Sequence, residues 1–225
     1  MFSNLENILN LISCGNNLGE KITLVGATKT MSADVINSAI DCGLTVVAEN
    51  KVQEFREKTC LINKIAKQHF IGHLQTNKVK YLVGNIELIH SVDSIHLAQE
   101  IDRVAAKKQV VQDILLEVNI GGELSKSGFN PDNVKDAAIQ IEKQLKNVKL
   151  KGLMAMLPHS DDKEFLGTLC DKMRSLYDDL KLNGLDFEYL SVGMSNDFEI
   201  AIKHGSNTIR LGRTIFGERN YGGNK

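Results

Sequence analysis

Short apolar runs recur along the chain, and most of them are separated by stretches with the spacing of amphipathic helices. The runs cover residues 21–28, 44–48, 69–74, 87–92, 113–120, 150–157, 189–194 and 208–216. Helical spacing is clear in segments such as Ala33-Ile36-Ile40 and Leu169-Met173-Leu176-Leu180. Eight strand candidates that alternate with helices predict a parallel sheet.

Two architectures fit this alternation: a doubly wound open sheet and a closed (β/α)8 barrel. Barrels of this type use about 200 to 250 residues and eight strand–helix units, and the chain of 225 residues supplies both. The glycine-rich turn of a dinucleotide-binding sheet is absent after the first run, where Gly26-Ala27-Thr28-Lys29 stands instead. We therefore predict an α/β protein that is a single-domain (β/α)8 TIM barrel over residues 1–225, with residues 1–20 as a helical lead-in.

Composition narrows the class of protein further. The chain is 42% hydrophobic and 24% charged, and its formal net charge is -1, which favours neither a nucleic-acid-binding nor a membrane-binding surface. Its four cysteines are widely separated and form no C-x-x-C pair, as expected for reduced cysteines outside any disulfide framework or zinc site. No apolar run approaches the roughly 20 residues that span a bilayer. We expect a cytoplasmic protein that binds no metal.

Lys29 ends the first apolar run and is the most informative single residue. In a barrel, the carboxyl ends of the strands form the mouth where ligands bind. An amine held there can form a Schiff base with a carbonyl group, because partial burial and neighbouring cations lower its pKa. The run alone also fits a solvated lysine at the end of a strand. The rest of the chain must show whether Lys29 binds a ligand.

The ends of the last two strand candidates carry the features of a phosphate site. Barrels commonly hold a phosphate on the loops after strands seven and eight, beside the start of a short helix. Strand seven runs into Gly193-Met194-Ser195-Asn196, and Ser195 or Asn196 could cap a helix over residues 197–203. Strand eight runs into Arg210-Leu211-Gly212-Arg213-Thr214, which supplies a second glycine and a hydroxyl. Each feature alone fits an ordinary turn, but the pair predicts a phosphate site.

A lysine and a phosphate site at one barrel mouth suit a ligand that carries both an aldehyde and a phosphate. Pyridoxal 5'-phosphate is such a ligand, and proteins usually hold it through a Schiff-base lysine and a group at the pyridine nitrogen. Arg210 is the candidate for the second role, with a salt bridge inside the barrel as the alternative. Because a guanidinium only donates hydrogen bonds, it would keep the ring nitrogen unprotonated and weaken the ring as an electron sink.

These motifs resemble the pyridoxal phosphate homeostasis protein family, whose fold is that of the alanine racemase N-terminal domain. The resemblance covers about residues 21–221. Its hallmarks are VGATKT at 25–30, AENKVQE at 48–54, HFIGHLQTNK at 69–78, HSVD at 90–93, SKSG at 125–128, KGLMAM at 151–156, SVGMS at 191–195 and RLGRTIFG at 210–217.

The resemblance implies a role for each residue that matches a family position. Lys29 matches the lysine that bears the cofactor, and Arg210 matches the arginine that faces the pyridine. Asn50 matches an asparagine near the cofactor ring. The residues that match the phosphate cradle are Met194, Ser195, Gly212, Arg213 and Thr214.

The function implied by the resemblance is binding of pyridoxal phosphate in intracellular homeostasis and transfer, without efficient catalysis. Candidate partners are the apo-enzymes that receive the cofactor, and we expect a monomer. One alternative is a weak racemase or a related enzyme using the same cofactor, with His73, His90 or Asp93 as the second base. Another is a barrel enzyme that acts on a phosphorylated aldehyde or ketone through Lys29.

Overall fold

The computed structural model describes residues 2–123 and 126–217, and its centre is a closed barrel of eight parallel strands. The strands pair in chain order, and the eighth closes on the first through pairs such as Val25 with Arg210. The strands are β1 Thr23–Ala27, β2 Val46–Glu49, β3 Lys67–Phe70, β4 Leu88–Val92, β5 Gln112–Val118, β6 Val148–Ala155, β7 Tyr189–Ser191 and β8 Thr208–Leu211. The predicted barrel is confirmed, and the open sheet is excluded.

Helices lie between the strands and cover the outside of the barrel. Within the described ranges they are α1 Ser3–Ile12, α2 Ala33–Asp41, α3 Val52–Lys58, α4 Val79–Leu82, α5 Ile95–Lys108, α6 Val134–Gln144, α7 Lys163–Leu182, α8 Phe198–Lys203 and α9 Arg213–Phe216. Two short 3-10 helices, Thr59–Leu61 and Thr76–Lys78, precede β3 and α4. None of these helices is long and apolar enough to cross a membrane.

Apolar side chains fill the layer between the helices and the barrel, which drives the closure of the sheet. The predicted N-terminal helix is α1, whose buried Leu5, Ile8 and Ile12 pack into the same cluster as Leu24 of β1 and Ile209 of β8. Two small apolar clusters lie apart from this layer, and one of them joins Val25, Val46 and Ala48 of neighbouring strands. All four cysteines are free.

The largest differences from the predicted strand boundaries are at the ends of β3 and β8. The third apolar run, residues 69–74, contains the end of β3 at Phe70 and then leaves the sheet, although Leu74 stays buried. The eighth run, residues 208–216, leaves the sheet after Leu211 and continues as the helix α9. Leu74 and Ile215 are both buried outside the sheet, so a long apolar run does not mark the length of the strand.

Candidate cofactor site at the barrel mouth

A cavity of about 820 Å³ opens at the carboxyl ends of the strands. It contains residues that follow β1, β2, β6, β7 and β8, so it joins segments from across the mouth. Seven of the eight predicted site residues line it: Lys29, Asn50, Met194, Ser195, Arg210, Gly212 and Arg213. The eighth, Thr214, is half-buried in the first turn of α9 and does not line the cavity.

Lys29 stands two residues after β1 and is partly buried at the cavity wall. The preceding residue, Thr28, fixes this end of the strand through its backbone N–H, which donates to the carbonyl of Ala48 at 2.9 Å. The following residue, Thr30, has a φ of 67°. This left-handed conformation is uncommon for a β-branched residue. Its N–H donates to Glu54 Oε2 at 2.7 Å, which holds the chain in this sharp turn beside Lys29.

The loops after β7 and β8 lie side by side and are joined by a hydrogen bond from Arg213 Nη2 to Asn196 Oδ1 at 3.2 Å. Gly193 has a φ of 107°, and a Cβ there would lie 2.9 Å from the Cβ of Ala201, so only glycine lets α8 pack this closely. At Gly212 a Cβ would lie 3.2 Å from the carbonyl oxygen of Ala27. Gly193 therefore lets α8 pack onto the loop after β7, and Gly212 lets the loop after β8 approach the end of β1.

The helix after β7 begins differently from the prediction. Its first residue is Phe198 and its N-cap is Asp197, whose side chain makes no capping bond within the helix. Instead, Asp197 Oδ1 accepts a hydrogen bond from the N–H of Met194 at 2.5 Å. The proposed caps, Ser195 and Asn196, are thus wrong as caps. They lie in the tight turn that Asp197 closes, and both line the cavity.

Arg210 is 4% exposed and is held inside the barrel by hydrogen bonds to residues of β6 and β7. Its Nη1 donates to the backbone oxygen of Ser191 at 2.6 Å and to Oγ of the same residue at 2.7 Å. Its Nη2 donates to the carbonyl of Ala155 at 2.9 Å. Arg210 also lines the cavity, and these three hydrogen bonds fix its guanidinium in place.

Burial lowers the pKa of Arg210 to about 10, while the carboxyl groups of Glu117 and Asp197 act in the opposite direction. The guanidinium therefore stays charged at neutral pH. Burial also raises the pKa of both Glu117 and Asp197. Neither carboxylate forms an ion pair with Arg210 within the described residues, so the salt bridge that the sequence left open as its alternative role is not seen there.

The histidines considered as bases lie away from the cavity. His90 is completely buried, with Nε2 3.0 Å from His69 Nδ1 and Nδ1 3.1 Å from Ser191 Oγ. Burial lowers the pKa of His69 to about 3 and that of His90 well below its ordinary value. His73 is exposed, with Nδ1 3.4 Å from Asp93 Oδ2. None of these residues lines the cavity, whereas His159, which the sequence interpretation missed, does.

Asn50 follows β2 and closes another side of the cavity. Its Oδ1 is buried and has no hydrogen-bond partner among the described residues. Only glycine fits at residue 72 beside the Asn50 backbone, because a Cβ there would lie 1.9 Å from the Asn50 carbonyl oxygen. A buried amide oxygen without a partner is costly, so a donor on a bound ligand would stabilise this arrangement.

The fold is shared with proteins of known structure. The family model described as "Alanine racemase, N-terminal domain" matches residues 22–220. An alanine racemase of Clostridium difficile 630 superposes with a TM-score of 0.81 at 18% identity. The alignment covers 97% of this chain and 56% of the racemase chain, and at this identity the likeness concerns the fold alone.

Closer relatives place the chain within a family of such barrels. A pyridoxal phosphate homeostasis protein of Aquifex aeolicus is 45% identical over 200 residues, which cover 88% of this chain and 87% of the relative. PipY of Synechococcus elongatus, solved with pyridoxal phosphate bound, superposes with a TM-score of 0.83 at 28% identity, covering 96% of this chain and all of PipY (100%). The chain belongs to the pyridoxal phosphate homeostasis protein family.

Proposed function

We propose that this protein binds pyridoxal 5'-phosphate as a Schiff base with Lys29 and serves in its homeostasis and transfer, without efficient catalysis. The observation that carries the proposal is the convergence of Lys29, Arg210 and the paired loops after β7 and β8 on one cavity. The name of the Aquifex relative and the cofactor in PipY support the choice of ligand.

The residues present fit this cofactor chemically. Lys29 supplies an amine for the aldehyde, and Ser195 and Arg213 supply a hydroxyl and a cation for the phosphate. Gly212 leaves room for an anion beside the start of α9, where the amides of Arg213 and Thr214 precede the first helical bond, from Ile215 N–H to the Gly212 carbonyl. Oδ1 of Asn50 is buried and has no hydrogen-bond partner in the described ranges, so it can accept a hydrogen bond from a polar group of the ligand.

Arg210 is the reason to expect little catalysis. When bound, the cofactor supplies an electron sink whose strength depends on protonation of its ring nitrogen. Arg210 stays protonated at neutral pH and can only donate, and the acceptors on Ser191 and Ala155 fix its orientation. A nitrogen that accepts from this guanidinium remains unprotonated, which disfavours carbanion formation on a bound amino acid.

The proposal is tested by the absorbance spectrum of the purified protein and by transfer. We expect visible absorbance that borohydride abolishes, and restoration of activity when the loaded protein is mixed with the apo-form of a pyridoxal phosphate enzyme. The matched control is Lys126→Ala, which removes another lysine from the cavity wall and should retain the visible absorbance. A colourless protein that stays colourless with added pyridoxal phosphate would contradict the proposal and favour a phosphorylated aldehyde or ketone substrate.

The racemase alternative now rests on His159, an exposed imidazole at the cavity wall. Deuterium incorporation at the α-carbon of alanine or serine, followed by NMR, separates the two functions. We expect almost no exchange with the loaded protein. Exchange at about 1–1000 per second, lost in His159→Ala, would show an enzyme with His159 as its second base.

The proposal also covers the protein partners, the oligomeric state and the cellular compartment. Apo-enzymes that use pyridoxal phosphate are the proposed protein partners, and the barrel is proposed to act as a monomeric single domain. The free state of all four cysteines supports a reducing compartment, and we propose the cytoplasm.

A further inference from the structure

A second, smaller cleft lies beside the cofactor cavity at the carboxyl ends of β2 and β3. Its volume is about 220 Å³, and Asn50 lines both this cleft and the cofactor cavity. Three cationic residues line it: Lys51 before α3, Arg56 within α3 and Lys78 before α4. We call these three residues the cationic triad.

The carboxylates nearest in sequence to the triad are held by other groups. Glu54 Oε2 accepts from the N–H of Thr30 at 2.7 Å and from Lys58 Nζ at 2.9 Å. Glu57 Oε1 accepts from Gln53 Nε2 at 2.7 Å. Within the described parts of the chain, no carboxylate lies within 4.0 Å of a triad nitrogen. No member of the triad therefore forms an ion pair in the described chain, although the charge of Lys51 helps to lower the pKa of Glu54.

The side chain of Arg56 is restrained by a neighbouring aromatic ring. Its guanidinium carbon lies 4.4 Å from the centroid of the Tyr81 ring, which also lines the cleft. Stacking on an aromatic ring restricts the side chain and leaves the edge donors of the guanidinium available. Gln53 and Gln75 line the same wall, and each amide carries two N–H donors, of which one on Gln53 is already used by Glu57.

From this charge, shape and position we propose that the cleft is a second binding site, for a small phosphate monoester. Three cations and two amides match a dianion with several acceptor oxygens. A concave volume of about 220 Å³ suits a small molecule better than the flat face of a protein partner. The site is separate from the proposed cofactor cavity, and Asn50 is the wall that they share.

The probe is pyridoxine 5'-phosphate, which carries the phosphate but no aldehyde and so cannot react with Lys29. We expect a titration of the ¹⁵N-labelled protein to shift the amides of Gln53, Arg56 and Tyr81 in a saturable manner, whereas uncharged pyridoxine leaves them in place. Arg56→Ala should weaken this response about tenfold, because one charge-assisted contact is lost. Lys78→Gln should act in the same direction.

Lys80→Ala is the matched control, since Lys80 also lies over the Tyr81 ring, at 5.1 Å, but does not line the cleft. This change should alter the affinity by less than about twofold. Equal weakening by Arg56→Ala and Lys80→Ala, or no saturable shift in the cleft, would overturn the proposal. A cleft that responds to polyglutamate and not to the monoester would also overturn it, in favour of an acidic protein partner. Shifts at Ser195 and Gly212 report separately on the proposed cofactor site.

Discussion

The guanidinium of Arg210 donates to the hydroxyl oxygen of Ser191 at 2.7 Å inside the barrel. Because arginine only donates, the proton of this hydroxyl is free to point to Nδ1 of His90, 3.1 Å away. The proton of His90 then belongs on Nε2, which lies 3.0 Å from Nδ1 of His69. The charge of Arg210 thus sets the direction of the hydrogen bonds along four buried side chains. Arg210 donates to Ser191, Ser191 donates to His90, and His90 donates to His69.

Ser191→Ala should lower the free energy of unfolding by about 1–3 kcal/mol, because it removes an acceptor from a buried charged group. Ser38→Ala is the control, since its exposed hydroxyl bonds only to the Asp34 carbonyl of its own helix. The control should cost less than about 0.5 kcal/mol. Urea unfolding of both variants measures the difference, and equal losses would mean that the Ser191 hydroxyl contributes nothing specific to Arg210.

Stability should fall as the solution is acidified below pH 6.5, because His69 and His90 are held neutral by burial. Their folded pKa values lie below the unfolded value, so the unfolded chain binds more protons between about pH 3 and 6.5. The contribution of these two histidines to the free energy of unfolding is complete above pH 6.5 and is lost as the pH falls. Lys67 and Arg210 are the cations that act on the pair.

The test of this pH dependence is His69→Gln. The variant should reduce the slope of unfolding free energy between pH 6 and 5 by about 1 kcal/mol per pH unit. His96→Gln, which removes an exposed imidazole on α5, is the matched control for the substitution itself. Identical slopes in wild type and His69→Gln would show that His69 is already protonated in the folded protein at pH 5.

The proposed phosphate cradle predicts unequal effects of two substitutions on cofactor affinity. Ser195→Ala should raise the Kd for pyridoxal phosphate about tenfold, because the backbone supplies much of the cradle. Gly212→Val should raise it further, since its side chain would enter the phosphate space and press on the Ala27 carbonyl. Fluorescence or absorbance titration measures both values.

Ser160→Ala is the control for the cradle, because Ser160 lines the same cavity from the segment after β6. Its hydroxyl accepts from the N–H of Asp162 at 3.1 Å and has no proposed contact with the phosphate. The affinity should stay within about twofold of wild type. Equal effects of Ser160→Ala and Ser195→Ala would place the phosphate elsewhere.

The periodicity of the sequence was sufficient to predict the barrel, because alternating buried strands and amphipathic helices leave few other ways to cover both faces of a parallel sheet. It also placed Lys29, Asn50 and Arg210 together, since the carboxyl ends of barrel strands share one mouth. Their proposed roles toward the cofactor stay predictions that come from the family resemblance.

Contacts between distant strands could not be predicted in this way. The acceptors of Arg210 come from Ala155, 55 positions away, and from Ser191, which bonds at the same time to His90. No local pattern encodes such pairs. The close approach of Gly72 to the Asn50 backbone is likewise a contact between separate strand ends. His159 was missed because it lies on a loop, where neither strand nor helix periodicity applies.

The central claim, a Schiff base on Lys29, is tested most directly by borohydride reduction of the loaded protein, tryptic digestion and mass spectrometry. We expect the pyridoxyl phosphate mass on a peptide spanning residues 22–51, uncleaved at Lys29 because the modified side chain no longer suits trypsin. Lys29→Ala should lose this label while keeping some phosphate-dependent binding. A label found only on Lys126, which lines the same cavity, or on Lys78 in the neighbouring cleft would contradict the account.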